Sequence, residues 1–399
     1  MIGENPIAAE GNDWGRCIVI YGAVPYAAPR FAAHHLADNL ARYAPVLYVD
    51  PPLSRVEVAR EPGLRPLLDG PRLSMVTPRL ANLRVLLFPG KDRPAMTRLS
   101  TWLLRRRVGA ALRALGARPQ VTIVQPPHRP LLAGLRDQRR VYLVTDDYIA
   151  MATMLGFPAA HMSRGEARLA RDADLIVVVS EVLADKFRAM GYESLVIPNG
   201  CDDLLFATTD TAPPPTDVML PSPIVGFVGY LSNRIDFNLL DAVARRGHSV
   251  LLVGARSGVF AATRAEVLLA RPNVQWVGGK QYTDLPSYMR VTDVGVVPYP
   301  DNQKNRASFP LKILEYLAAG RRVVATDLPA VRWLDTDLVR VAPDDPEGFA
   351  DAVEAALAER DDLLLRERRR AFAAGHSWSR RTERLATALD LTPPRPTAE

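Results

Sequence analysis

The feature that most restricts the fold of this chain is a recurring pair. A short, uninterrupted aliphatic run is followed by a stretch with helical spacing. Leu175–Val179, reading Leu-Ile-Val-Val-Val, is the plainest of these runs. A strand with one face in water alternates polar and apolar residues; a strand apolar throughout is covered on both faces, as in a parallel sheet flanked by helices. In the first half, strands are expected at Cys17–Tyr21, Pro45–Val49, Leu83–Phe88, Val121–Val124, Val141–Val144, Asp174–Ser180 and Ser194–Ile197. Helices are expected between them at Phe31–Tyr43, Arg98–Leu115, near Gly165–Arg171, and at Val182–Met190.

The pattern then breaks and restarts. Phe206–Pro223 contains Ala-Pro-Pro-Pro-Thr and Leu-Pro-Ser-Pro, the composition of a stiff linker. Beyond it, strands are expected at Ile224–Val228, Ser249–Val253, Val274–Trp276, Asp293–Val297, Arg322–Ala325 and Leu338–Val341. Helices fall near Phe237–Arg245, Asp284–Arg290, Phe309–Ala319 and Pro346–Glu359. A chain of 399 residues, 48% hydrophobic and 24% charged, is long enough for two such domains. The expectation is an α/β protein of two doubly wound, Rossmann-like domains facing a cleft. Residues 1–205 form the first, 206–223 the linker and 224–375 the second. Leu363–Leu391 reads as helical and charged, and Thr392–Glu399 as a proline-rich tail.

Composition narrows the function classes. Cys17 and Cys201 build no disulfide framework, and no metal-ligand cluster is evident. No segment reads as a signal peptide and no apolar run approaches ~18 residues, so a cytosolic protein is expected. A net charge of +6, carried largely by arginine, suits an anionic ligand or an anionic membrane surface. No recognisable nucleic-acid-binding module is present.

Candidate ligand-binding residues gather around Ser308–Gly320. Ser308 suits an N-cap, Pro310 a first-turn position and Gly320 the left-handed C′ position. Leu311, Leu314, Leu317 and Ala318 share helical spacing and are expected to pack inward. Lys312 in the first turn adds charge to a helix end that already favours anions, which points to phosphate. The other reading of Lys312 and Glu315 is an exposed pair at i,i+3. Glycines end the first two strands of this half, Gly229 in Gly-Phe-Val-Gly and Gly254 after Val253. They suit close approach of a ligand, or simply a tight turn. Asn233, Arg234 and Asp236 follow the first. Tyr299 lies in the Pro-Tyr-Pro that ends a later strand, and the loop Asp301–Arg306 leads polar donors into Ser308 and Phe309.

In the first half, Asp146 and Asp147 follow a strand, where a general base or a helix cap is expected. His34 and His35 open a helix after a Gly/Pro loop, facing an acceptor or the core. Asn199, in Pro-Asn-Gly-Cys-Asp, is a turn residue or an acceptor-side group. His376, beside Trp378, reads as packing. Arg98–Arg118 interleaves Trp102 and leucines with arginines, the pattern of a covering helix or of one lying on anionic lipid.

Together these motifs resemble the GT-B glycosyltransferases, over about Cys17–Leu391. Ser308 to Thr326 looks like the donor-site helix and following strand of family-four-like members. Asp174–Ser180 with Ile197–Asp202 is similar to that group's interdomain segment. Val141–Tyr148 and Tyr48-Val-Asp-Pro-Pro52 look like the teichuronic-acid-type bacterial subset. Ser377–Arg381 resembles the helix that crosses back to the first domain, so residues 376–399 would form it and the tail.

The resemblance implies transfer of a sugar from a nucleotide-diphosphate donor, a uridine one favoured, to a polysaccharide, lipid-linked or small-molecule acceptor. It implies no cofactor and no metal. Glu315 would accept hydrogen bonds from the ribose, while Lys312 and the N–H groups after Pro310 would hold the diphosphate. Asp147 or Asp146 would be the base of an inverting reaction. The chain departs from the retaining members at Ala307, where they carry a glutamate eight positions before the ribose glutamate. It also departs at Tyr230 and Ile235, in place of their Arg and Lys. The alternatives are a nucleotide-sugar 2-epimerase and a non-catalytic sugar-nucleotide-binding subunit. The expected location is the cytoplasm, or the inner membrane face as a peripheral protein.

Overall fold

The computed structural model describes residues 14–60, 72–129, 131–133, 135, 138–256 and 262–393. Contacts divide the chain into two units. The first comprises Met1–Val178, Leu183–Ile197 and Thr382–Glu399; the second comprises Val179–Val182 and Pro198–Arg381. Among the described residues no helix is long and apolar enough to cross a membrane.

The first unit is built on an eight-stranded sheet. Its strands are β1 (Arg16–Tyr21), β2 (Val46–Val49), β3 (Leu73–Thr77), β4 (Leu80–Leu83), β5 (Arg118–Val124), β6 (Arg139–Val144), β7 (Leu175–Val178) and β8 (Leu195–Val196). Their order is β3-β4-β2-β1-β5-β6-β7-β8, with only the β3–β4 pair antiparallel. The β3–β4 hairpin was not expected, and the strand expected at Leu83–Phe88 lies elsewhere. β4 ends at Leu83, and only Leu86 continues the pairing, as an isolated bridge to Leu53. The neighbouring strand has run into Pro51 and Pro52, which have no N–H to donate to a ladder.

The second unit carries β9 (Ile224–Val228), β10 (Ser249–Val253), β11 (Val274–Trp276), β12 (Val294–Val297), β13 (Arg322–Thr326) and β14 (Val339–Ala342). All pairs are parallel and the order is β11-β10-β9-β12-β13-β14. The first strand therefore lies inside, with the chain winding outward to one side and then to the other. Ligands of such sheets bind where the order reverses, between β9 and β12.

These two strands pair only at Val294–Val225 and Gly295–Gly226, then part. The Tyr316 hydroxyl fills the gap, accepting from Val228 N–H at 2.8 Å and donating to the Gly226 carbonyl at 3.2 Å. Gly295 makes room for that ring, since a Cβ there would come within 2.4 Å of it. The proline-rich Phe206–Pro223 segment is bound along this unit. Asp210 pairs with Arg321 and Arg370, and Asp217 meets Lys280 at 2.5 Å and the Tyr288 hydroxyl at 2.9 Å.

Candidate functional site

At the reversal point the two strand ends and one helix converge. The helix is Leu311–Ala318, and its N-cap is Pro310, without a side-chain cap. Ser308 does not cap it: its hydroxyl donates to Asn305 O at 3.0 Å, closing a short preceding helix, Gln303–Ala307. That helix replaces the expected loop because Asn302 caps it, accepting from Asn305 N–H at 3.0 Å. Asn305 is buried and ties the β9 and β12 ends together, donating to Arg234 O at 3.2 Å and Pro300 O at 3.0 Å. Gly320 takes φ +75°, as a left-handed C′ residue should, and its N–H donates to Leu317 O. Leu311 is only half-buried; Ile313 and Tyr316 join Leu314, Leu317 and Ala318 in the core instead.

Lys312 projects from the first turn across the end of β9. A Cβ on Gly229 would fall 1.8 Å from Lys312 Cε and 2.5 Å from Nζ. Gly229 holds φ +153°, and Lys312 Nζ lies 5.8 Å from the Phe227 ring centre. Gly254, φ +149°, lets the next strand end approach equally closely, since a Cβ there would meet Gly229 O at 1.9 Å. Both glycines are thus required by close approach, and the Lys312 side chain has the space that any side chain at Gly229 would take. The N–H groups of Leu311 and Lys312 lie in the first turn, where a helix offers no internal acceptor.

Glu315 is not half of an exposed pair: it is 4% exposed. Burial pushes its carboxyl up to about 7, against the pull of Lys312 and of the Tyr282 hydroxyl, which donates to Oε1 at 3.4 Å; Asp202 nearby raises it further. A buried carboxylate with one long hydrogen bond can accept more from a ligand. Tyr299 and Phe309 are buried supports. Tyr299 O accepts from Thr326 Oγ1 at 2.5 Å, and the Phe309 ring packs edge-on to Trp333. Arg234 is half-buried beside the β9 end. Ala307 is buried, and its carbonyl accepts from Ser180 Oγ at 2.6 Å. Tyr230 is exposed and Ile235 buried. Tyr282 and Tyr316 were missed, because only the fold brings each to its partner.

Asn199 belongs to this second unit rather than the acceptor side. Its amide donates to Phe309 O at 2.8 Å, holding the residue just before Pro310. Gly200 lies against the backbone of His376–Trp378, where a Cβ would come within 2.8 Å of Trp378 N.

The first-unit candidates are more heavily engaged. His34 uses both ring nitrogens on its own unit's backbone: Nδ1 accepts from Phe31 N–H at 3.0 Å, and Nε2 meets Pro25 O at 3.1 Å. Burial lowers it to about 4. His35 is buried and lowered to about 3 for the same reason. Neither presents an open imidazole to an acceptor. Asp147 is buried, accepts from Ala150 N–H at 3.3 Å, and receives Lys186 Nζ at 3.0 Å. Lys186 also meets Glu166 at 2.7 Å. Asp146 is half-buried, one residue nearer the end of β6. In the basic helix, Thr97–Ala114, residues Ser100, Leu104, Val108 and Ala111 face the core, while Leu99 and Trp102 are exposed among arginines.

Comparison with known proteins agrees with this fold. Residues 222–359, within the second unit, match the family model described as glycosyl transferases group 1. A Bacillus subtilis protein named as a teichuronic acid biosynthesis glycosyltransferase, TuaH, is 33% identical over 227 residues, 54% of this chain and 56% of that protein. The match thus spans about half the length of that relative. Among solved structures, a sucrose-phosphate synthase from Thermosynechococcus elongatus superposes with TM-score 0.72 at 17% identity, covering 94% of this chain and 98% of that one. The E. coli trehalose-6-phosphate structure bound with UDP-2-fluoro glucose gives 0.67 at 15% identity, covering 95% and 100%. The fold is GT-B.

Proposed function

We propose that the chain is a glycosyltransferase that moves a sugar from a nucleoside-diphosphate donor, a uridine one, to a polysaccharide, lipid-linked or small-molecule acceptor. The observation that carries this reading is Lys312 laid across Gly229 at the reversal point of the second sheet, one helical turn from buried Glu315. Glu315 accepts the ribose hydroxyls. Lys312, with the first-turn N–H groups, holds the diphosphate. The B. subtilis relative's name supports the reaction, and the UDP-sugar held by the E. coli structure supports the donor.

In the reaction the acceptor oxygen forms a bond to the anomeric carbon. The bond from that carbon to the diphosphate oxygen breaks, its electron pair leaving with the nucleotide. The acceptor proton passes to a carboxylate, for which Asp146 is the candidate and Asp147 its neighbour of fixed position. Charge developing on the leaving phosphate is met by Lys312 and the helix end. This arrangement supplies the stabilisation without a divalent ion, so turnover should persist in a chelator. The reading places the protein in the cytoplasm, with the basic helix as its contact to an anionic membrane.

The test is incubation of the purified full chain with a panel of nucleotide sugars, followed by mass spectrometry. Release of UDP by wild type, and its loss in Lys312→Ala, are the expected results. Failure to bind UDP or to consume any nucleotide sugar would remove the reading. Conversion of the donor to an isomer without UDP release would replace it with epimerase chemistry.

A further inference from the structure

The first unit contains a cavity that the transferase reading does not use. It holds about 500 Å³ and lies between the start of the Thr97–Ala114 helix, the helix Ala159–Asp172 and the loop after β5. Its walls are built closely. A Cβ on Gly165 would meet Pro127 O at 1.9 Å, so this helix rests directly on the loop backbone. His128, Phe157 and His161 form a row of near-parallel rings with centres 4.5 and 6.1 Å apart. Arg105 braces the far side of the loop, donating to Leu131 O at 2.9 Å and Ala133 O at 2.5 Å.

The lining is unusual in charge. Arg98, Arg105, Arg164 and Arg168 all border the space, and among the described residues no aspartate or glutamate does. Among the described residues, the guanidinium groups of Arg98, Arg164 and Arg168 make no hydrogen bond and no ion pair, whereas elsewhere guanidinium–carboxylate pairs are numerous. Helices that merely cover a sheet need a polar outer face, not cations converging on one hollow. Like charges so gathered repel one another, and an anion between them relieves it. Guanidinium forks fit phosphate oxygens in pairs. Trp102, 54% exposed with Arg106 stacked over it at 5.6 Å, supplies an aromatic surface at the rim for whatever the phosphate is attached to.

We propose that this cavity is a binding site for a phosphate monoester, its phosphate held by Arg98, Arg164 and Arg168 and its organic part resting on Trp102. The volume is that of a small-molecule site. The same chemistry belongs to a soluble phosphorylated compound and to the headgroup of an acidic lipid. The proposal does not depend on the donor-site reading, because all of these residues lie in the first unit.

The experiment is calorimetric titration of the full chain with phenyl phosphate. Wild type should bind, and the double variant Arg164→Ala/Arg168→Ala should bind at least about tenfold more weakly, a loss of about 1.4 kcal/mol. Both positions are exposed, so the fold should survive, which circular dichroism checks. Lys312→Ala should bind phenyl phosphate like wild type, separating this site from the donor site. Arg113→Ala, on the same basic helix but outside the cavity, should also be unchanged. Sedimentation with phosphatidylcholine vesicles, with and without phosphatidic acid, separates the sources. Binding to acidic vesicles that is lost in the double variant assigns a lipid headgroup, and binding of phenyl phosphate alone assigns a soluble ester. Unchanged affinity in the double variant, an equal loss in Arg113→Ala, or no binding of either probe by wild type would overturn the proposal.

Discussion

The two units carry a glycine at the same place, just past the innermost strand, and fill the space beside it differently. After β1, a Cβ on Gly22 would fall 2.0 Å from the Tyr48 hydroxyl, which donates to Val24 O at 2.8 Å. After β9, a Cβ on Gly229 would strike Lys312. In the first unit the crevice is closed by an internally satisfied tyrosine; in the second it holds a cation. Shared topology therefore provides two crevices, and one side chain decides which of them presents a cation, the feature on which the proposed diphosphate site rests.

If the labour is divided in this way, substitutions in the first unit should change rate and those in the second should change affinity. Asp146→Asn is expected to lower turnover about 10²–10⁴-fold, the usual worth of a general base, with UDP affinity intact. Asp147→Asn instead weakens the Lys186 pair and should cost stability as well, read by thermal unfolding. Normal turnover in Asp146→Asn would take the proton transfer away from this strand end.

The glycine pair sharpens the contrast. Gly229→Ala combines a strained backbone with eviction of the Lys312 side chain, whose flexible end can move. Donor binding should fall, and the strained backbone should lower the melting temperature as well. Gly22→Ala drives a Cβ into a ring that is 0% exposed, so it should cost mainly stability. Lys312→Ala should weaken UDP binding by roughly 1.5–3 kcal/mol, as measured by calorimetry. Equal losses of affinity from Gly22→Ala and Gly229→Ala would break the comparison.

Much of this was legible in the residues. Ile224–Val228, Ser249–Val253 and Val274–Trp276 are strands over the expected spans, because each is a short apolar run between turn residues. Charge in an otherwise apolar helix drew attention to Lys312 and Glu315, but it left an exposed i,i+3 pair open, which the burial of Glu315 removes. Ser308 misled because local grammar is ambiguous. The Asn302 cap starts a separate helix, and Ser308 ends that one instead of beginning the next. The β3 strand was hidden because Leu73–Thr77 is a largely exposed edge strand without clear alternation. His34 looked like a ligand-facing residue until its two backbone partners were visible. Tyr282 and Tyr316 gave no signal at all, since their partners are 33 and 90 residues away.

The smallest expected effect concerns Glu315. An unfolded glutamate titrates near ~4.3, and burial holds the folded group at about 7. Between those values the folded chain keeps a proton that the unfolded chain has released, so stability falls as pH rises through this window and levels off above it. Glu315→Gln removes that loss. At about pH 8 it should stabilise the unliganded chain by about 1–3 kcal/mol, and at about pH 4 by nothing, as read from urea unfolding. The same variant should bind UDP less well, and its affinity should lack the rise with pH near neutrality that is expected of wild type as the carboxylate ionises. A side chain whose removal improves the fold and harms the ligand is one retained for the ligand, which no first-unit carboxylate in the Asp147–Lys186–Glu166 network should imitate.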